Sequence, residues 1–237
     1  MAYFLNMERK TITGKMCHIY TFGTGKDAII LWGTYSFTGK EEESLLISLD
    51  RLCKDKNFTL VAYYVNDWNA EFSPWEAEDS NGEKIFTGKG KNTLRWIEED
   101  CLPCIRYKIS ETAPVYLAGY SLSGLFSLWA LYESQLLDGC ICCSGSLWMN
   151  GWKEYMEEKS APENTYVYLS LGGKEEQTKD LKMAKVGDRF REQEKILKAV
   201  PNVKESILEW NKGGHFADSG KRLAKGISWL ITKINEI

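Results

Sequence analysis

Ser121 stands in the run Val115-Tyr116-Leu117-Ala118-Gly119-Tyr120-Ser121-Leu122-Ser123-Gly124, where an apolar, strand-like segment gives way to a helical one. A serine at such a junction rides on a strained strand-to-helix turn that lifts its hydroxyl clear of the sheet. The flanking residues must be small because strand and helix approach closely there. Gly119 and the Ser123-Gly124 pair supply them, although the last place of the usual Gly-x-Ser-x-Gly is Ser123, one hydroxymethyl larger. A serine hydroxyl is a poor nucleophile at neutral pH, so acyl transfer also requires a histidine within hydrogen-bonding reach and a carboxylate to orient its ring. The chain has two histidines. His18 lies in the early run Lys15-Met16-Cys17-His18-Ile19-Tyr20 and reads as an edge-strand or surface residue. His215 lies in Gly213-Gly214-His215-Phe216-Ala217-Asp218, after the last strand-like run and before the last helical one. Functional residues of open parallel sheets gather at such carboxyl ends.

The carboxylate is expected from the loop that follows Tyr166-Val167-Tyr168-Leu169-Ser170-Leu171, which continues Gly172-Gly173-Lys174-Glu175-Glu176. Glu175 is favoured by its third place after Gly172, with Glu176 and Asp180 as alternatives. The order serine, acid, histidine, each on its own strand-to-helix connection, is that of an α/β hydrolase. Donors must also face the oxyanion that develops during acyl transfer, since removing one typically raises the barrier by about 2.7 to 4 kcal/mol. One candidate is the Leu122 N–H, because the first amides of a helix have no acceptor inside it. The second is the N–H of Thr34 or Tyr35, in the loop Leu31-Trp32-Gly33-Thr34-Tyr35-Ser36, where Gly33 permits close approach.

Positioning these groups is the task of the surrounding elements. Strand-like runs at 15–22, 27–32, 58–66, 114–119, 138–144, 165–171 and 203–210 alternate with amphipathic runs, without repeats or low-complexity linkers. That alternation predicts an α/β fold with a mostly parallel central sheet and helices on both faces, two of the early strands being candidates for an antiparallel edge. In 41–54, Leu45, Leu46, Leu49, Leu52 and Cys53 make one buried stripe behind the acidic turn Glu41-Glu42-Glu43. The helix at about 219–236 repeats the pattern with Leu223, Ile227, Leu230, Ile231 and Ile234. The segment after Ser121 is apolar nearly all round, which predicts the buried central helix. The long connection 67–90 has little periodicity, and loops of that length in compact domains are usually functional. The segment between 144 and 165 holds room for one helix, so a single domain over 1–237 without a separate lid is expected.

Composition narrows the classes. A net charge of -3 with mixed signs gives no basic stripe for nucleic acid. No run approaches membrane-spanning length, and the amino terminus has no basic segment followed by an apolar core, so no membrane partner and a cytoplasmic address are expected. The 7 cysteines lack the paired spacing of a disulfide framework and read as reduced core thiols. Cys101-Leu102-Pro103-Cys104 has redox or zinc spacing, but a second pair and a neighbouring histidine are missing from the sequence around it, which speaks against both uses. No metal and no cofactor are expected, since two distant histidines offer no ligand set.

Together, Gly-Tyr-Ser-Leu-Ser-Gly, the Leu-Gly-Gly-Lys-Glu-Glu loop and Gly-Gly-His-Phe resemble the α/β-hydrolase superfamily, nearest the serine esterases of the esterase D and siderophore-esterase type. Asn66-Asp67-Trp68-Asn69 with Ser73-Pro74-Trp75, and Ser144-Gly145-Ser146-Leu147-Trp148, are similar to stretches of that bacterial group. The resemblance spans most of the chain. It implies hydrolysis of a small-molecule ester through an acyl-serine intermediate and leaves the substrate open. Thioester or amide cleavage by the same machinery, and binding without turnover, are the alternatives. The chain is rich in aromatics, with 9 Trp and 12 Tyr. Among them Trp32, Tyr35, Trp68, Trp75, Tyr120 and Trp148 are candidates to wall the pocket, half of them being expected only to fill the core. Tyr120, Trp68 and Trp148 are the substrate-binding candidates carried forward.

Overall fold

The computed structural model describes residues 4–35, 39–160, 162–201 and 203–234. Strands β1 (Phe4–Ile12) and β2 (Lys15–Phe22) form an antiparallel hairpin around Thr13 and Gly14, whose φ values are 41° and 83°. Positive φ at both places is what a two-residue hairpin turn demands. β3 (Ile29–Thr34), α1 (Lys40–Leu52) and β4 (Phe58–Tyr64) follow. The long connection then carries the single turn α2 (Trp68–Glu71) and a short ribbon of β5 (Glu76–Ala77) with β6 (Phe86–Thr87). α3 (Gly90–Trp96) passes through one π turn (Ile97–Cys101) into α4 (Leu102–Arg106). The second half alternates strictly: β7 (Val115–Tyr120), α5 (Leu122–Glu133), β8 (Gly139–Cys143), α6 (Trp152–Glu158), β9 (Tyr166–Gly172), α7 (Val186–Ala199), β10 (Glu205–Asn211) and α8 (Ser219–Ile234).

The main sheet has 8 strands in the order β1-β2-β4-β3-β7-β8-β9-β10. It is parallel from β4 to β10, and β1 and β2 make the antiparallel edge. The strand expected at 27–32 is β3, inside the sheet and parallel to β4 and β7. The antiparallel edge is completed on the outer side of β2 by β1, a strand not expected from the sequence because its charged residues Glu8, Arg9 and Lys10 hide it from a search for apolar runs. An edge strand held by its backbone ladder needs little apolar patterning.

Each face is covered as the stripes require. Leu45 and Leu49 of α1 and Leu223, Ile227 and Leu230 of α8 pack on Trp32, Ala62, Tyr116 and Tyr168. On the other face Phe126 and Trp129 of α5 pack on Leu31, Val61 and Leu117. Fully burying a Leu or Ile side chain is worth about 1.5–3 kcal/mol, so these two layers fix the sheet against which the loops are aimed. The last two places of the helix expected to reach 236, and Ser36 in the loop after β3, lie outside the described residues. No helix among the described residues is long and apolar enough to cross a membrane.

Candidate active site

Between β7 and α5 the chain reverses at Ser121, with φ 58° and ψ -124°. A side-chain-bearing residue in such a conformation costs on the order of 1–3 kcal/mol and persists only where its surroundings dictate it. They do so here: Ser121 N–H donates to Cys143 O at 3.0 Å, and Ser121 O accepts from the N–H groups of Leu125 and Ser146, each at 3.1 Å. A Cβ at Gly119 would overlap the Ser123 carbonyl, and one at Gly124 would lie 2.9 Å from Cys143 O. The demand for absent side chains therefore falls on Gly119 and Gly124. Ser123 answers a different need. Its buried Oγ donates to Gly33 O at 2.7 Å, tying the end of β3 to the turn. Leu122 opens α5 with an amide that has no acceptor inside the helix, while Thr34 ends β3 and lines, with Tyr35, a separate cavity beside Trp68.

The structure brings Ser121, His215 and Glu175 together. His215 Nε2 lies 3.0 Å from Ser121 Oγ, and His215 Nδ1 lies 2.8 Å from Glu175 Oε2. A carboxylate against Nδ1 fixes the proton there and leaves the Nε2 lone pair facing the hydroxyl. Glu175 sits on a 3₁₀ turn, Glu175–Gln177, just past β9, and is 8% exposed. Its Oε1 accepts from Gly172 N–H at 2.7 Å, Ser144 Oγ at 2.5 Å and Arg222 Nη1 at 3.2 Å. Burial pushes the carboxyl up, but hydrogen bonds from His215, Ser144 and Gly172 outweigh it and leave the group below the usual carboxylate value. The alternatives point elsewhere. Glu176 pairs with Arg191 of α7 at 2.8 Å, and Asp180 Oδ1 caps the N–H groups of Lys182 and Met183 at 2.9 and 3.0 Å.

Beneath these residues lies a buried polar group that sequence reasoning missed. Arg222 of α8 is 2% exposed; its Nη1 donates to Tyr120 Oη at 2.7 Å and its Nη2 to Ser170 Oγ at 3.5 Å. The Tyr120 hydroxyl donates to the His215 carbonyl at 2.6 Å. Ser144, at φ 45°, directly follows β8. One signal was available for each: Ser144 stands at a strand's carboxyl end, and Arg222 is a charge on the same helical face as Gly226 and Leu230, four and eight residues on.

Tyr120 thus corrects an expectation, since it is 7% exposed and its hydroxyl is used within this network instead of on a pocket wall. Trp148 does line the cavity of about 350 Å³ that opens over Ser121 and His215, together with Lys174, Met183 and Phe216. Trp68 lines a separate cavity of about 620 Å³ with Thr34, Tyr35 and Asp67. Trp32 fills the core, and Trp75 anchors its loop by donating from Nε1 to Asn150 O at 2.8 Å. His18 is also buried, not surface: its Nδ1 lies 3.0 Å from Glu42 Oε1 and 2.8 Å from Tyr64 Oη. Phe216, beside His215, is 93% exposed and provides an apolar surface at the cavity mouth.

No known family profile matches the chain, and no curated protein does. Solved structures do. The chain is similar to the siderophore hydrolase EstA of Aspergillus nidulans, with TM-score 0.75 and 17% identity over 96% of this chain and 95% of that one. It is similar to an IroE-like serine hydrolase of Shewanella oneidensis, with TM-score 0.79 and 14% identity over 96% and 80%. The siderophore hydrolase EstB of Aspergillus nidulans matches with TM-score 0.72 and 16% identity over 94% and 92%. The mostly parallel eight-stranded sheet, the strand-to-helix turn at Ser121 and these likenesses together give the chain the α/β-hydrolase fold, with siderophore hydrolases among its structural neighbours.

Proposed function

We propose that the protein is a carboxylesterase-type serine hydrolase that cleaves a small-molecule ester through an acyl-enzyme on Ser121. The observation that carries the reading is the chain of contacts Ser121 Oγ to His215 Nε2 to Glu175 Oε2, at 3.0 and 2.8 Å. In this mechanism His215 takes the hydroxyl proton as Ser121 Oγ attacks the ester carbonyl, and Glu175 holds the ring and stabilises the imidazolium. The Leu122 N–H and the N–H of Thr34 or Tyr35 receive the oxyanion. The imidazolium then protonates the departing alkoxide, and a water activated by the same base releases the acid and restores Ser121. Ester bonds of the siderophore kind are the substrate class that the neighbours' names favour. The cavity over Ser121, with Trp148, Met183 and Phe216 on its walls, suits a ligand with an apolar or aromatic part. Seven free cysteines fit a reducing, cytoplasmic setting.

The test is hydrolysis of p-nitrophenyl acetate and butyrate together with labelling by a fluorophosphonate probe. Wild-type protein is expected to turn over the esters and to be labelled on Ser121. Ser121→Ala is expected to lose labelling and at least about 10³-fold in kcat. Equal activity in the variant, or a wild type that neither hydrolyses nor labels, would overturn the reading.

A further inference from the structure

Burying a guanidinium is expensive, and an apolar side chain of similar volume would pack this position at lower cost. Arg222 nevertheless sits in the buried stripe of α8, and its Nε has no partner among the described residues. Packing alone gives no reason for it. Its contacts converge on two members of the site. Nη1 bridges Glu175 Oε1, at 3.2 Å, and Tyr120 Oη, at 2.7 Å, while the guanidinium lies 5.2 Å from the centre of the Tyr120 ring. Tyr120 in turn grips the backbone carbonyl of His215 itself, at 2.6 Å.

We infer that Arg222 is a positioning residue for the Ser121 site, holding the Glu175 carboxylate directly and the His215 loop through Tyr120, so that the acid works as an arginine-carboxylate pair. The inference rests on the proposed hydrolase reading. The consequence is geometric: with Oε1 held by Arg222, Glu175 Oε2 stays aimed at His215 Nδ1, and the ring keeps its place beside Ser121 although the acid is shut away from water.

The groups around the guanidinium are Glu175, Tyr120, Tyr168, Cys143 and Glu209. Burial pushes the Tyr120 and Tyr168 hydroxyls far up and the Cys143 thiol to about 12, and Glu209 is ion-paired with Lys225. The imidazole is faced by Glu175, Ser121 and the rings of Tyr120 and Phe216.

The experiment compares wild type, Arg222→Met and Arg222→Lys by steady-state kinetics on p-nitrophenyl butyrate, with circular dichroism to check that each variant is folded. For Arg222→Met, kcat is expected to fall about 10- to 100-fold, from misplacement of acid and base, with KM within about twofold. Arg222→Lys, which keeps a cation within reach of Glu175, is expected to restore part of the lost kcat. A folded Arg222→Met with wild-type kcat would overturn the inference while leaving the hydrolase reading intact. Should Arg222→Met fail to fold, Tyr120→Phe decides: kcat reduced several-fold at unchanged KM supports the inference, and wild-type kcat sinks it. A wild type without hydrolysis or labelling removes both readings together.

Discussion

Glu175 and Glu176 are neighbours of identical chemistry, and the sequence offers no means of telling which one faces inward. The 3₁₀ turn after β9 makes the choice by pointing the first at His215 and the second at Arg191. Glu175→Gln is therefore expected to lower kcat by about 10²- to 10⁴-fold at nearly unchanged KM, as when the carboxylate of a Ser-His-acid set is neutralised. Glu176→Gln is expected to stay within about twofold, because an exposed ion pair contributes little. Steady-state kinetics on one chromogenic ester separates the two. The same carboxyl affects stability. Its value in the folded protein lies below the ordinary one, so its contribution is present above the unfolded value near ~4.3 and is lost as pH falls through the folded value. Urea midpoints measured from pH 7 down to 3 should therefore decline less steeply in Glu175→Gln than in wild type.

Alternation of apolar and amphipathic runs sufficed to place seven strands and the helices that carry Ser121 and close the chain, because elements buried on one or both faces must display their burial in residue type. β1 escaped, since its ladder with β2 is made of backbone groups. The buried network escaped because Arg222 and Ser144 become neighbours only when α8 docks across β8 and β9. The strand-to-helix turn was legible through Gly119, but the tolerance of Ser123 was not, as it depends on a carbonyl 90 residues away. Ser123→Ala, which removes the bond to Gly33 O, is expected to cost about 1 kcal/mol in chemical denaturation and to preserve the fold. Gly119→Ala is expected to cost more, about 1–3 kcal/mol for overpacking, and to displace Ser121 far enough to abolish fluorophosphonate labelling.

Across the molecule, six of the seven cysteines are buried and only Cys104 is partly exposed. Ellman's reagent is accordingly expected to find about one fast thiol in the native protein and all 7 after denaturation. More than one fast thiol would mean that the core around β8 opens readily. The two faces of the sheet also divide the labour: the layer that packs α5 supports the turn at Ser121, and the layer that packs α8 supports Arg222. Ser121 is in place once β7, α5 and β8 have assembled, yet Glu175, His215 and Arg222 all come from the final third of the chain. A chain interrupted during synthesis before residue 215 would carry its hydroxyl without a base to activate it, and one whose carboxyl-terminal helix has come away would lose Arg222 from beside Tyr120 and Glu175. Under the proposed reading, the appearance of ester turnover in a refolding mixture would time the docking of that last helix, giving the molecule its own clock for completed assembly.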